Sequence, residues 1–193
     1  MKSLQTLFIA AVAALAFSAC SEKKPTNNIV AKKPVVKAPS GPVKMQDSKF
    51  ADEVQWNGKS CNVSIVRRAD TSLPVITDDA GGKYYDNVID IKIEANGGND
   101  GTQGAELLFH KTFGKQNFAS MVDAEYLKKS ALLGIVFDRV EGDKIIFAAS
   151  VGQPDVLSDD FVPMLVTVSR SGGMTISKDT RLDSDVEEET AER

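Results

Sequence analysis

Histidine, cysteine and tryptophan are nearly missing from this chain, with one His, two Cys and one Trp in 193 residues. Two cysteines cannot supply a disulfide-rich scaffold, and a single histidine leaves little for histidine-based metal sites. No apolar run reaches the roughly 18 residues of a membrane-spanning helix. Net charge is only −4, so a global basic field for nucleic acid is absent. What is present is ordinary: 42% apolar and 26% charged residues describe a globular chain with room for one domain. A collagen-like, wholly disordered or polytopic membrane protein is excluded.

The N-terminus reads as an export signal. Lys2 supplies a basic start, Leu7 to Phe17 is an uninterrupted apolar run, and Ser18-Ala19-Cys20 places small residues at a cleavage site. Leu15-Ala16-Phe17-Ser18-Ala19-Cys20 resembles the lipobox of bacterial lipoproteins. That resemblance implies a signal peptide over residues 1–19, cleavage between Ala19 and Cys20, and a lipid on Cys20. If Cys20 carries lipid, Cys61 is the one thiol left, and no intramolecular disulfide can form.

Residues 20–51 are expected to form a tether. From Ser21 to Ala51 there are four of the seven prolines and seven lysines against two acids. Such a segment favours extended conformations. Lysines beside an anionic membrane are attracted by about 1 kcal/mol each. From Asp179 to Arg193 the sign reverses, with seven acids against two basic residues. Residues 181–193 are read as a disordered acidic tail and 52–180 as a single domain.

That domain is full of period-two alternation. Ile89, Ile91 and Ile93 point one way, Asp90, Lys92 and Glu94 the other. A glycine-rich connection, Asn96 to Gly101, leads to a second strand in which Ala105, Leu107, Phe109 and Phe113 share a face with Lys111, opposite Glu106, Leu108, His110 and Thr112. Strands are also expected at Cys61–Val66, Leu132–Arg139, Lys144–Val151, Val162–Val168 and Met174–Ser177, with a short one at Leu73–Thr77. The pair around Glu141-Gly142-Asp143 looks buried on both faces. Phe118, Met121, Val122 and Tyr126 make a helical stripe, with Asn117 to cap it and Asp123 as a restart. Parallel pairs need a crossover helix and one helix is visible, so the sheet is expected to be mainly antiparallel. The expected class is α+β, mainly β: a curved antiparallel sheet of about seven strands with one helical region, or alternatively a β-sandwich or small barrel.

Chemistry is harder to find. His110 lies in a strand with no nucleophile motif beside it. Cys61 is in register with Val63 and Ile65, as packing demands, although an approach by His110 would lower its pKa. Asp78-Asp79, Asp155 and Asp159-Asp160 suit turns and caps better than a calcium loop or a pair of hydrolytic carboxylates. Trp56 and Tyr84-Tyr85 could contribute to a ligand or partner surface, but core packing is the default for aromatics, with one of the two adjacent tyrosines expected to be buried and the other exposed. No catalytic residue, metal site or cofactor is expected. Loops on a β scaffold are where binding resides, which makes Asn99, Asp100, Asp159 and Asp160 the candidate partner contacts.

Four further segments carry a family resemblance: Ser72-Leu73-Pro74-Val75, Lys83-Tyr84-Tyr85-Asp86-Asn87, Lys111-Thr112-Phe113 with Asn117-Phe118, and Ser150-Val151-Gly152-Gln153-Pro154. Between about Cys61 and Asp179 the chain resembles an uncharacterised family of Bacteroidales lipoproteins, catalogued as a domain of unknown function. The resemblance implies an envelope lipoprotein and supplies no activity; the expected location is the outer membrane, on either its periplasmic or its surface-facing side. The expected role is a non-enzymatic binding or interaction module for an envelope protein or glycan, with a hydrolase or an assembly factor as alternatives. The membrane is met through the lipid, and nucleic acid is not a partner.

Overall fold

The structure is a computed structural model that describes residues 41–97 and 104–181. The signal peptide, Ala19, Cys20, most of the tether, Asn99, Asp100 and the tail beyond Arg181 lie outside the described residues.

Ten strands and one short α-helix are present among them. The first sheet contains β1 (Ser48–Trp56), β2 (Lys59–Ala69), β5 (Asn87–Ala95) and β6 (Glu106–Phe113), in the order β1-β2-β5-β6. The second contains β7 (Ala131–Glu141), β8 (Lys144–Gly152), β9 (Phe161–Ser169) and β10 (Met174–Lys178), in the order β10-β9-β8-β7. A small ribbon pairs β3 (Ile76–Thr77) with β4 (Lys83–Tyr84). Every ladder is antiparallel, as expected from the short connections, and the described strands form no closed barrel. The strands divide between two sheets because each has one apolar face to hide. Val63, Ile91 and Phe113 from the first meet Leu132, Phe147 and Val166 from the second in one core, all fully buried.

Four features differ from the sequence expectation. The tether, expected to run to Ala51, already contains the start of β1 at Ser48, and Val43 pairs with Tyr84. Strand β1 is an edge whose core side is only half filled: Val54 and Trp56 are buried, while on the same side Phe50 is 42% exposed and Asp52 is exposed too. That weak alternation hides the strand from a periodicity reading. Asn57 and Gly58, both at positive φ (54° and 74°), make the tight turn from β1 into β2.

The second difference is a set of three bulges, one in β5–β6 and two in β7–β8, at Leu133 and at Asp138. In β5–β6, Ile93 faces Phe109 but Glu94 faces Leu107, so Leu108 is the extra residue. The bulge inverts the alternation. Leu107, expected inside, is 54% exposed, and Leu108, expected outside, packs against the core. In β7–β8 the ladder skips Leu133, which brings Leu132 onto the same inner face as Ile135. The outer face there is less buried than expected, because Val136 is 59% exposed.

The helical stripe breaks in two. A 3₁₀ turn, Lys115–Phe118, starts from Gly114, and Asn117 accepts the Gly114 N–H instead of capping a helix of its own. Helix α1 (Ala124–Lys129) begins at Asp123, whose carboxylate accepts the N–H groups of Glu125 and Tyr126 at 2.8 and 3.3 Å. Phe118 and Leu127 are the buried anchors of this segment. At the other end, Arg181, read as the first residue of the tail, is still tied to the domain. It donates to Asp179 at 2.9 and 2.7 Å and pairs with Asp138 at 3.1 Å.

Candidate functional site

The polar residues that join the two sheets can be picked out by their register. Asn87 lies in phase with Ile89, Ile91 and Ile93, and Arg67 in phase with Cys61, Val63 and Ile65. Both therefore point toward the core side at the end of the first sheet, where the edge of β7 passes. Asp86 Oδ1 accepts the Leu132 N–H at 2.9 Å and Asn87 Nδ2 donates to the Leu132 carbonyl at 2.9 Å. Arg67 Nη1 donates to the Leu133 carbonyl at 2.6 Å. Three side chains thus take the place of a neighbouring strand at the start of β7, satisfying the Leu132 N–H and the Leu132 and Leu133 carbonyls.

Asp86 is the centre of this corner. Its side chain is 4% exposed, Oδ1 also accepts its neighbour's N–H at 2.8 Å, and Oδ2 faces the Lys115 ammonium at 3.5 Å. Lys115, 13% exposed, comes from the 3₁₀ turn and donates to the Ser130 carbonyl at 2.8 Å. A loop closes the other side. The Asp70 N–H donates to the Asp86 carbonyl at 2.8 Å, and the Asp70 carboxylate accepts the N–H and hydroxyl of Ser72 at 2.9 and 2.6 Å. The Ser72 side chain, then its backbone, holds the Asp70 carboxyl below its ordinary range.

Between these elements lies a hollow of about 630 Å³, within the roughly 300–1,000 Å³ typical of small-molecule sites. Leu73, Pro74, Val88 and Leu127 wall it, and its polar lining comes from the buried Asp86–Lys115 pair together with Gln116 and Lys128. A second hollow, about 610 Å³, lies on the outer face of β7–β9, where Asp179 and Arg181 already satisfy each other. The first is the better candidate because its charged groups keep capacity to spare.

The residues singled out from sequence go elsewhere. Cys61 is fully buried, its thiol pushed up chiefly by burial, while exposed His110 sits opposite Lys92 on the outer face of the same sheet. The sheet stands between them, so the pair is not assembled. Beside His110, the Asp90 carboxylate is partly buried, yet hydrogen bonds from Thr112 and Arg68 hold it below its ordinary range. Asp155 accepts the Leu157 N–H at 3.0 Å in a turn, and Asp160 accepts the Tyr126 hydroxyl at 3.0 Å. Asp159 is exposed. Trp56 is a core residue at 3% exposure. Among the described residues no group of three His, Cys, Asp or Glu side chains is placed to hold a metal ion.

The four segments of the family resemblance do converge. Leu73 and Pro74 line the hollow with Asp86; Phe113 and Phe118 meet as a tilted pair with ring centroids 6.2 Å apart; Val151 pairs with Leu132. A family model described as a domain of unknown function, DUF4738, matches residues 28–176. A comparison with the curated proteins gives no match.

Proposed function

The chain belongs to the DUF4738 family, and on that premise we propose that it is a lipid-anchored envelope protein of Bacteroidales whose domain is a non-enzymatic binding module with the Asp86 corner as its ligand site. The apolar run that ends in Ser18-Ala19-Cys20, followed by a Pro- and Lys-rich segment, supports the anchor. The binding role rests on one observation: an apolar hollow that ends on a buried, incompletely saturated charge pair. The separation of Cys61 from His110 argues against a thiol hydrolase. This reading moves the contact site away from Asn99, Asp100, Asp159 and Asp160.

Two measurements test it. Metabolic labelling with a clickable fatty acid should mark the wild type and spare Cys20→Ser; equal labelling overturns the anchor. Protein purified from native cells and extracted with organic solvent should release a small molecule that Ala124→Trp, which fills the hollow, does not carry. Identical extracts overturn the site.

A further inference from the structure

We infer that the Asp86–Lys115 hollow takes a neutral amphiphile whose head group both donates and accepts a hydrogen bond, a hydroxyl or a primary amide, with its apolar chain laid along Leu73, Pro74, Val88 and Leu127. This rests on the reading of the hollow as the ligand site and specifies the chemistry it selects.

The argument is a count of hydrogen-bond capacity. Asp86 Oδ1 already accepts two backbone N–H groups, at 2.8 and 2.9 Å. Among the described residues Oδ2 faces only the Lys115 ammonium, at 3.5 Å, too long for a good hydrogen bond. An ammonium has three protons to give. Lys115 gives one to the Ser130 carbonyl at 2.8 Å and turns one toward Asp86. The Asp86–Lys115 pair therefore offers one acceptor and one donor side by side, and the neutral Gln116 amide that also lines the hollow adds no charge.

Charge then selects the head group. A carboxylate would gain Lys115 and meet Asp86; an ammonium would gain Asp86 and meet Lys115. Each would also leave water for a site whose two charges are 4% and 13% exposed, where like charges repel strongly and desolvation is costly. No other charge at the hollow tips the balance. Lys128 is taken by Glu125 at 2.6 Å, and Asp70 is turned onto Ser72. A hydroxyl or primary amide gives its proton to Asp86 Oδ2, accepts one from Lys115 and brings no charge.

The test uses the full chain and a matched series of octan-1-ol, octanamide, octanoate and octylamine, titrated calorimetrically at neutral pH. The alcohol and the amide should bind, with the two ions at least about tenfold weaker. Ala124→Trp changes an exposed residue in the first turn of α1 that lines the hollow. It should abolish binding of all four and leave the melting temperature unchanged. Lys115→Met should weaken octan-1-ol by about tenfold. Octanoate or octylamine binding as tightly as octan-1-ol overturns the head-group assignment and leaves the hollow as a ligand site. Binding of none of the four, or binding indifferent to Ala124→Trp, overturns both.

Discussion

Arg67 Nη1 donates to the Leu133 carbonyl at 2.6 Å, and Leu133 is the residue that the first β7 bulge leaves out of the ladder with β8. One sheet thereby satisfies the irregularity of the other. The same guanidinium donates through Nη2 to the Gln46 carbonyl at 3.0 Å. Arg67→Met should cost about 1.5–3 kcal/mol, the usual range for a hydrogen bond to a charged group. Arg67→Lys should recover only part of that, since one ammonium cannot span both carbonyls. Urea denaturation checks this. A neutral Arg67→Met would mean that the bulge carbonyl finds water instead.

Asp86 supports both the fold and the hollow. Asp86→Ala strips two buried N–H groups of their acceptor and leaves Lys115 without its counter-charge, a change expected to cost about 3–5 kcal/mol. Asp86→Asn keeps an acceptor oxygen and should cost less. Adding Lys115→Met to Asp86→Asn should cost less than the two separate losses combined, because the stranded charge is gone. Additive losses in a denaturant series would show that the pair is not coupled.

Tyr126 gives the domain an alkaline signature. Burial first, then its bond to Asp160, push the hydroxyl from 10.0 up to about 12. The folded state holds this proton more tightly than the unfolded chain does. Its contribution to stability is therefore complete below about pH 10 and is lost as pH rises toward 12. Tyr84, also raised by burial and by Asp78, should ionise late as well. An ultraviolet absorbance titration should show a last tyrosine step that disappears in Tyr126→Phe. A wild-type curve ending in the ordinary range would contradict the bond to Asp160.

The β6 bulge makes a paired prediction. Leu107→Ser, at an exposed position, should change stability by less than about 0.5 kcal/mol, while Leu108→Ser, which removes a side chain packed against the core, should cost at least about 1 kcal/mol. Thermal melts of the two variants decide it. The reverse order would restore the unbroken alternation.

Regular burial was the legible part. Isoleucines at every second position announced β5, the Glu141-Gly142-Asp143 turn announced the β7–β8 hairpin, and Asp123 was correctly placed to restart a helix. The bulges were not legible, because a one-residue insertion is decided by the partner strand and leaves no mark in local composition. β1 escaped because its core side carries Asp52 and an exposed Phe50, although Asn57-Gly58 was there to signal its turn. The corner had a signal of its own. Arg67 and Asn87 each continue a buried apolar phase with a polar side chain, and a polar group in a core register must find a buried partner. Asp86 and Lys115, 29 residues apart by 115 − 86, had none, since their pairing depends on how the 3₁₀ turn folds back.

The way the chain enters the domain bears on how it would carry load. Val43 is clasped by two backbone hydrogen bonds, its N–H to Lys83 at 2.8 Å and its carbonyl from Tyr85 at 2.9 Å. Asn87 then holds Met45 at 3.0 Å, and Arg67 holds Gln46. A pull applied before Gly41 meets this short clasp ahead of the β1–β2 ladder. Under such a pull these few bonds at Val43, Met45 and Gln46 would be the first in line to yield, ahead of the ladder that holds β1 to the core.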